Sequence, residues 1–276
     1  MLLTVSSELK EEENADFDYQ DIEFMRLDSL VAERMTVSPR IFDMYGLCGI
    51  ASYSQFALHG TIEDEIYGET VDHDEEYDYE KHGNELSSVE KVEYCLQMAL
   101  SVADLHGHEN GLIIHEDLKA DQFLWNEDQS AIKLNDFSRS VITMWNDNTQ
   151  EYCEQDENEE REWRTPEEFH WSHHITDKTD IHNLASVFYV VLLGQSKRDA
   201  MEVEEEDYLL EGNRVIIDKG TIQHFTAAEK QLAEIIDACQ VDAQEKRPDI
   251  FQLVKMLEDT VTLAKHEEQK EADKKR

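Results

Sequence analysis

The chain has 276 residues, long enough for one large or two small domains, and an apolar fraction of 40% is enough to build a sizeable core. Its formal charge of −39, from 64 acidic against 25 basic residues, argues by simple repulsion against nucleic acid or an anionic membrane surface as partner, and weakly favours basic proteins. Much of the acidity lies in blocks, Thr61 to Glu85, Glu151 to Glu160 and Glu202 to Asp207, which reads first as solvation of loops.

In chain order, Met1 to Val5 is apolar but too short for the core of a signal peptide, and acids follow it. From Tyr19 to Met35 the apolar positions Ile22, Met25, Leu30 and Val31 share one helical face, which predicts an amphipathic helix. Ile41 to Tyr45 and Ile50 to Phe56 alternate as two strands, with Gly46 and Gly49 at the turn. Ser88 to His106 is the clearest long helix, with Val89, Val92, Leu96, Ala99 and Ala103 at three- to four-residue steps. Gln122 to Trp125 and Ala131 to Leu134 flank the polar turn Asn126 to Ser130 and predict a hairpin.

Beyond the hairpin, Val141 to Arg164 is polar and without periodicity, and the expectation is a mobile segment. Asp180 to Leu193 is apolar on nearly every side, as in a buried helix; the longest apolar run, Leu184 to Leu193, is far short of a membrane span. Thr226-Ala227-Ala228-Glu229 is a capping-box signature opening a helix through Cys239, and Pro248 sits where the first turn of a final helix would begin. Lys265 to Arg276 is charged throughout, an exposed helix end. The cysteines Cys48, Cys95, Cys153 and Cys239 are widely separated with no C-x-x-C, which suits a reducing compartment. A soluble intracellular protein, cytoplasmic or nuclear, is expected.

Chemistry concentrates around the hairpin. Antiparallel strands joined by a tight turn bring their outer ends together, so Asp117 and Asp136 can face one small volume. Such a pair can share a phosphate-bound Mg²⁺ and a substrate hydroxyl, since magnesium takes a carboxylate or two plus phosphate oxygens while a second carboxylate accepts a proton. His115-Glu116-Asp117-Leu118-Lys119-Ala120-Asp121-Gln122 resembles the catalytic-loop pattern H-R-D-L-x-x-x-N of protein kinases, and Asp136-Phe137-Ser138 resembles D-F-G. Thr165-Pro166-Glu167 resembles A-P-E, Lys178-Thr179-Asp180-Ile181 the start of the large central helix, and Lys246-Arg247-Pro248 the late Arg-Pro, so that the resemblance spans about residues 20 to 262.

The resemblance implies an α+β, protein-kinase-like fold: a truncated small N-lobe with hinge over 1–57, a mostly helical C-lobe over 58–262, and a charged tail over 263–276. It implies Asp117 as acceptor of the hydroxyl proton, Lys119 reaching the γ-phosphate of ATP, and Asp136 with Gln122 holding Mg²⁺. Ser54 would be the gatekeeper, and Gln55 to Ala57 the hinge whose main chain holds adenine. The first helix would carry the acid that pairs with a small-lobe Lys, with Asp28, Ser29 and Glu33 left open for that place. Glu167 would pair with Arg247, and Asp180 would cap backbone groups of the catalytic loop.

Departures weigh against turnover. There is no G-x-G-x-x-G and no V-A-I-K strand; Met1-Leu2-Leu3-Thr4 is the one remnant. Either these parts are lost, or the chain is an incomplete version of a longer product. Gln122 replaces Asn and carries its amide oxygen about an ångström further out, which octahedral Mg²⁺ tolerates poorly. Glu116 replaces the Arg that would meet a phosphorylated loop, and Ser138 replaces a Gly whose positive φ a Cβ would restrict. Three readings compete: an ATP-dependent protein kinase, Ser/Thr in preference to Tyr; a pseudokinase acting as binding module or scaffold; and a small-molecule kinase of the aminoglycoside or choline type.

Overall fold

The helix Ser88–His106 is the axis on which the rest packs, and its own residues explain why it forms. In the computed structural model, which describes residues 19–48, 51–67, 85–153, 165–166, 175–194 and 215–276, Ser87 and Glu90 close a capping box at its start. The Ser87 hydroxyl accepts from the Glu90 N–H at 3.3 Å, and the Glu90 carboxylate accepts from the Ser87 N–H at 2.8 Å. Val92, Cys95, Met98, Ala99, Val102 and Leu105 fall on one face and are buried. At about 1.5–3 kcal/mol for each fully buried large aliphatic side chain, that face is the helix's main source of stability.

The described elements run in chain order as α1 (Tyr19–Arg34), β1 (Met44–Cys48), β2 (Ala51–Ser54), α2 (Ile62–Tyr67), α3 (Ser88–His106), β3 (Leu112–Ile114), β4 (Phe123–Trp125), β5 (Ile132–Leu134), β6 (Val141–Thr143), β7 (Trp145–Asn146) and β8 (Glu151–Tyr152). Four further helices follow: α4 (Asp177–Leu193), α5 (Lys219–His224), α6 (Ala227–Cys239) and α7 (Ile250–Lys275). The strands pair antiparallel as β1 with β2, β3 with β6, β4 with β5 and β7 with β8. Helices α3, α4, α6 and α7 pack on one another, and a single apolar cluster runs from Val31 of α1 and Met35 just after it through Leu134 and Phe137 to Leu253 and Leu257 of α7.

Caps mark the helix boundaries. Thr176 caps α4, which ends at Gly194 in the left-handed region, φ 70°. The expected capping box at Thr226 and Glu229 opens α6. Pro248 falls outside the last helix, because Asp249 is its N-cap and forms a capping box with Gln252. That helix runs unbroken past 262, where the sequence reading separates domain from tail; its last buried residue is Ala264.

Two expectations change. The first strand is Met44–Cys48 rather than Ile41 to Tyr45, because Ile41 and Phe42 are taken by β5: the Phe42 N–H donates to the Leu134 carbonyl at 2.9 Å and the Leu134 N–H to that of Arg40 at 2.9 Å. Gly46 consequently lies within the strand beside a register irregularity, and the turn at 49–50 lies outside the described residues, as does the Ile50 start of the second strand. The first part of the segment expected to be mobile is ordered: Val141–Thr143 pairs with Leu112–Ile114, and Trp145–Asn146 with Glu151–Tyr152. Residues 154–164 of that segment lie outside the described residues. Among the described residues no helix is long and apolar enough to cross a membrane.

Candidate active site

Two loops meet at the site, His115 to Gln122 after β3 and Asn135 to Arg139 after β5. The first is anchored from below by Asp180 in the opening turn of α4, a carboxylate with no solvent exposure. Its oxygens accept from the His115 N–H at 2.8 Å and the Glu116 N–H at 2.9 Å, and one of them lies 2.9 Å from Nε2 of His106. Asp180 thus caps backbone groups of the 115–122 loop, as the resemblance implied. Those two bonds hold Glu116 at φ 63°, a left-handed conformation costing a non-glycine residue about 1–2 kcal/mol. The Glu116 side chain is itself buried.

His115 stitches the two loops together. Its Nδ1 accepts from the Asp117 N–H at 3.3 Å, which leaves Nε2 as the protonated nitrogen, donating to the Asn135 carbonyl at 3.1 Å. The ring meets Phe137 edge-on, with centroids 5.4 Å apart.

The side chains singled out in the sequence lie around this seam. Lys119 Nζ is 3.2 Å from Asp117 Oδ2, and Arg139 Nε is 3.8 Å from the same oxygen. The Gln122 amide nitrogen donates to Asp136 Oδ2 at 3.2 Å, and the Ser138 N–H donates to Asp136 Oδ1 at 3.2 Å. Asp121 has an edge in solvent, yet desolvation pushes its carboxyl up, Lys119 opposes this, and Asp117 and Asp136 both push it further. Asp117 and Asp136 thus both act electrostatically on Asp121, while the two loops that carry them are joined through His115. The strained residue of the second loop is Asp136 itself, at φ 59°, not Ser138; the Cβ at 138 meets no positive-φ demand.

Of the three acids or hydroxyls left open on α1, Asp28 reaches the site. Its Oδ1 accepts from the Phe137 N–H at 2.8 Å, whereas Ser29 donates back into its own helix, to the Met25 carbonyl, and Glu33 is exposed. Burial pushes the Asp28 carboxyl above its ordinary range; the bond from Phe137 opposes this, and nearby Asp136 adds to it. One turn earlier, Phe24 lies under the Arg139 guanidinium, 5.6 Å from its carbon to the ring centroid. Neither Phe24 nor Arg139 stood out in the sequence. An aromatic four residues before an acid on the same helix, with Arg two residues after Phe137, is the signal that was available.

Where the sequence reading expects a hinge, the Gln55 N–H donates to the Asp43 carbonyl at 2.8 Å and its side-chain oxygen accepts from Lys133 at 3.2 Å. Main-chain bonding of a base by Gln55 is thereby confined to its carbonyl. Among the described residues Ala57 has no backbone–backbone hydrogen bond. Arg247 is buried and donates to the carbonyls of Val241, Lys178 and Asp242 at 2.9, 3.1 and 3.4 Å. Its expected partner Glu167 lies outside the described residues, although Thr165 and Pro166 beside it are buried.

The donor set fits a magnesium nucleotide in part. Asp136 offers hard oxygens; Gln122 turns its nitrogen to Asp136, and rotation of the terminal amide would exchange N for O. Among the described residues no three His, Cys, Asp or Glu side chains gather as metal ligands, so a divalent ion here would depend on oxygens brought by the phosphates.

The family model for the protein kinase domain matches residues 32–257, most of the chain. The chain belongs to the protein kinase family, and its mixed helix-and-strand architecture is kinase-like. No curated protein matches the sequence.

Proposed function

We propose that the chain transfers the γ-phosphoryl group of ATP to a hydroxyl on a protein, Ser or Thr in preference to Tyr, with Asp117 accepting the hydroxyl proton. The observation that carries this reading is the meeting of the two loops, in which His115 bonds the backbone of both, at Asp117 and at Asn135, and packs on Phe137. ATP with Mg²⁺ supplies the phosphoryl group and charge neutralisation. Lys119, beside Asp117, is placed to meet developing negative charge, and Asp136 to hold the ion with Gln122 once its amide turns. The Gln55 carbonyl and the Ala57 N–H are the hinge groups for adenine. On this reading residues 1–57 form a truncated N-lobe with hinge, 58–262 the C-lobe and 263–276 a tail, in a chain that works inside the cell on a protein partner, basic rather than acidic.

A second reading, a pseudokinase that binds partners without turnover, is favoured by two specific features. Gln122 presents an N–H where a metal wants oxygen, and no G-x-G-x-x-G is present in the sequence. Loss of such phosphate-positioning groups costs several orders of magnitude, about 10³–10⁵ for a single transition-state cation in this chemistry. Transfer of a γ-phosphate label to a protein acceptor, measured with Mg²⁺ and with Mn²⁺, separates the two readings. Label that disappears in Asp117→Asn supports phosphotransfer. Nucleotide stabilising the fold with no transfer under either ion selects the pseudokinase.

A further inference from the structure

The contacts of Arg139 join three parts of the molecule that the sequence treats separately. Its guanidinium stands over the Phe24 ring of α1 at 5.6 Å, and its Nε lies 3.8 Å from the Asp117 carboxylate. Phe24 and Asp28 are four residues apart, so they share a face of α1, and both meet the 136–139 turn: Asp28 takes the Phe137 N–H, Phe24 takes Arg139. The Arg139 side chain is about one-third exposed (33%) and that of Asp117 less so (19%), so each contact is partly shielded from water. An arginine can do both because its planar guanidinium stacks on a ring while its N–H groups point outward in the plane.

We propose that Arg139 is a positioning residue, a strut that makes the docking of α1 and the orientation of Asp117 one equilibrium. The proposal rests on Asp117 being the proton acceptor, but its test needs no turnover. When Arg139 is seated, the ring of Phe24 has its cation and Asp28 is held at the Phe137 amide; the same seating presents a second positive charge, beside Lys119, to Oδ2 of Asp117. When Arg139 leaves, α1 keeps its core packing through Val31 and Ala32 and the Asp28 bond at the 136–139 turn but loses the cation over Phe24, and among the described residues Asp117 keeps the Lys119 pair.

The Phe137 amide is the natural reporter, since its hydrogen is the one bonded to Asp28 and its exchange with deuterium measures how often α1 lifts away. In the full chain without nucleotide, Phe24→Leu keeps the bulk and removes the π face, and Arg139→Gln removes the charge. Each is expected to speed exchange at Phe137 about threefold, the factor that a partly exposed cation–π contact represents. Phe24→Trp restores slow exchange. The double variant exchanges no faster than the faster single one, because both remove the same contact. Asp117→Asn, which alters no packing on α1, also speeds it, because the carboxylate no longer holds the guanidinium. Exchange at Phe137 unchanged in Phe24→Leu and Arg139→Gln, multiplied in the double variant, or indifferent to Asp117→Asn overturns the strut. A chain that transfers no phosphate but shows this pattern loses the proposed activity and keeps the strut.

Discussion

The seam between the 115–122 and 135–139 loops and the β1–β2 hairpin are built in opposite ways. His115, Phe137, Leu134 and Asp180 are wholly or almost wholly buried, and each backbone bend is held by a named partner. On the hairpin and the hinge after it, Tyr45 is 66% exposed, Leu47 46%, Phe56 49% and Leu58 63%. A two-stranded sheet of this kind has little stability of its own, and an exposed apolar row is where a covering element would ordinarily lie. The difference teaches where each half of the chemistry resides: the groups that would act on a hydroxyl are preorganised by the core, and those that would hold the base of a nucleotide are not.

Substitutions can break this comparison. The largest effect is expected at Asp117: Asp117→Asn lowers phosphoryl transfer about 10²–10⁴-fold, the usual contribution of a general base, with the melting temperature nearly unchanged. Next is the anchor. Asp180→Ala strands the buried N–H groups of His115 and Glu116, together with His106, and is expected to lower stability by about 3–5 kcal/mol in urea unfolding.

Away from the site, Lys91 and Glu229 form a mostly buried pair at 2.9 Å between α3 and α6. Burial pushes the Glu229 carboxyl up, but the bonds from Lys91 and from the Thr226 N–H outweigh it, and its pKa lies below the ordinary 4.5. A depressed carboxyl stabilises the fold above its unfolded pKa and loses that contribution as pH falls through the folded value. Lys91→Met is therefore expected to cost about 3 kcal/mol at pH 7, with the gap between variant and native chain narrowing below about pH 4.5 in denaturant titrations. The smallest effect is expected on the hairpin, where Tyr45→Ser changes stability by no more than about 0.5 kcal/mol. A loss of several kcal/mol there would mean that the two regions are not so different.

Much of this was legible beforehand, and what was missed has a common cause. The Ser88 helix, the capping box at Thr226 and the 122–134 hairpin are local patterns or follow from a turn. The strand at Val141 to Thr143 left no period because it is three residues long and its partner, Leu112 to Ile114, is distant in sequence. Ile41 and Phe42 look like strand but bond to Leu134 across the core. Asp28 could not be chosen over Ser29 or Glu33 without knowing which face of α1 meets Phe137. Arg139 carries only a faint signal, its place two residues after Phe137, since its role depends on Phe24 and Asp117 arriving from two other elements.

The central claim is that these two loops form one phosphoryl-transfer site, and a single-turnover measurement of label leaving γ-³²P ATP for a protein acceptor tests it most directly. The account predicts opposite responses from two neighbours: Asp117→Asn removes the transfer, and Gln122→Asn, which shortens the amide to suit Mg²⁺, raises it. Equal label in native chain and Asp117→Asn, or no label in the native chain and in Gln122→Asn alike, would contradict it.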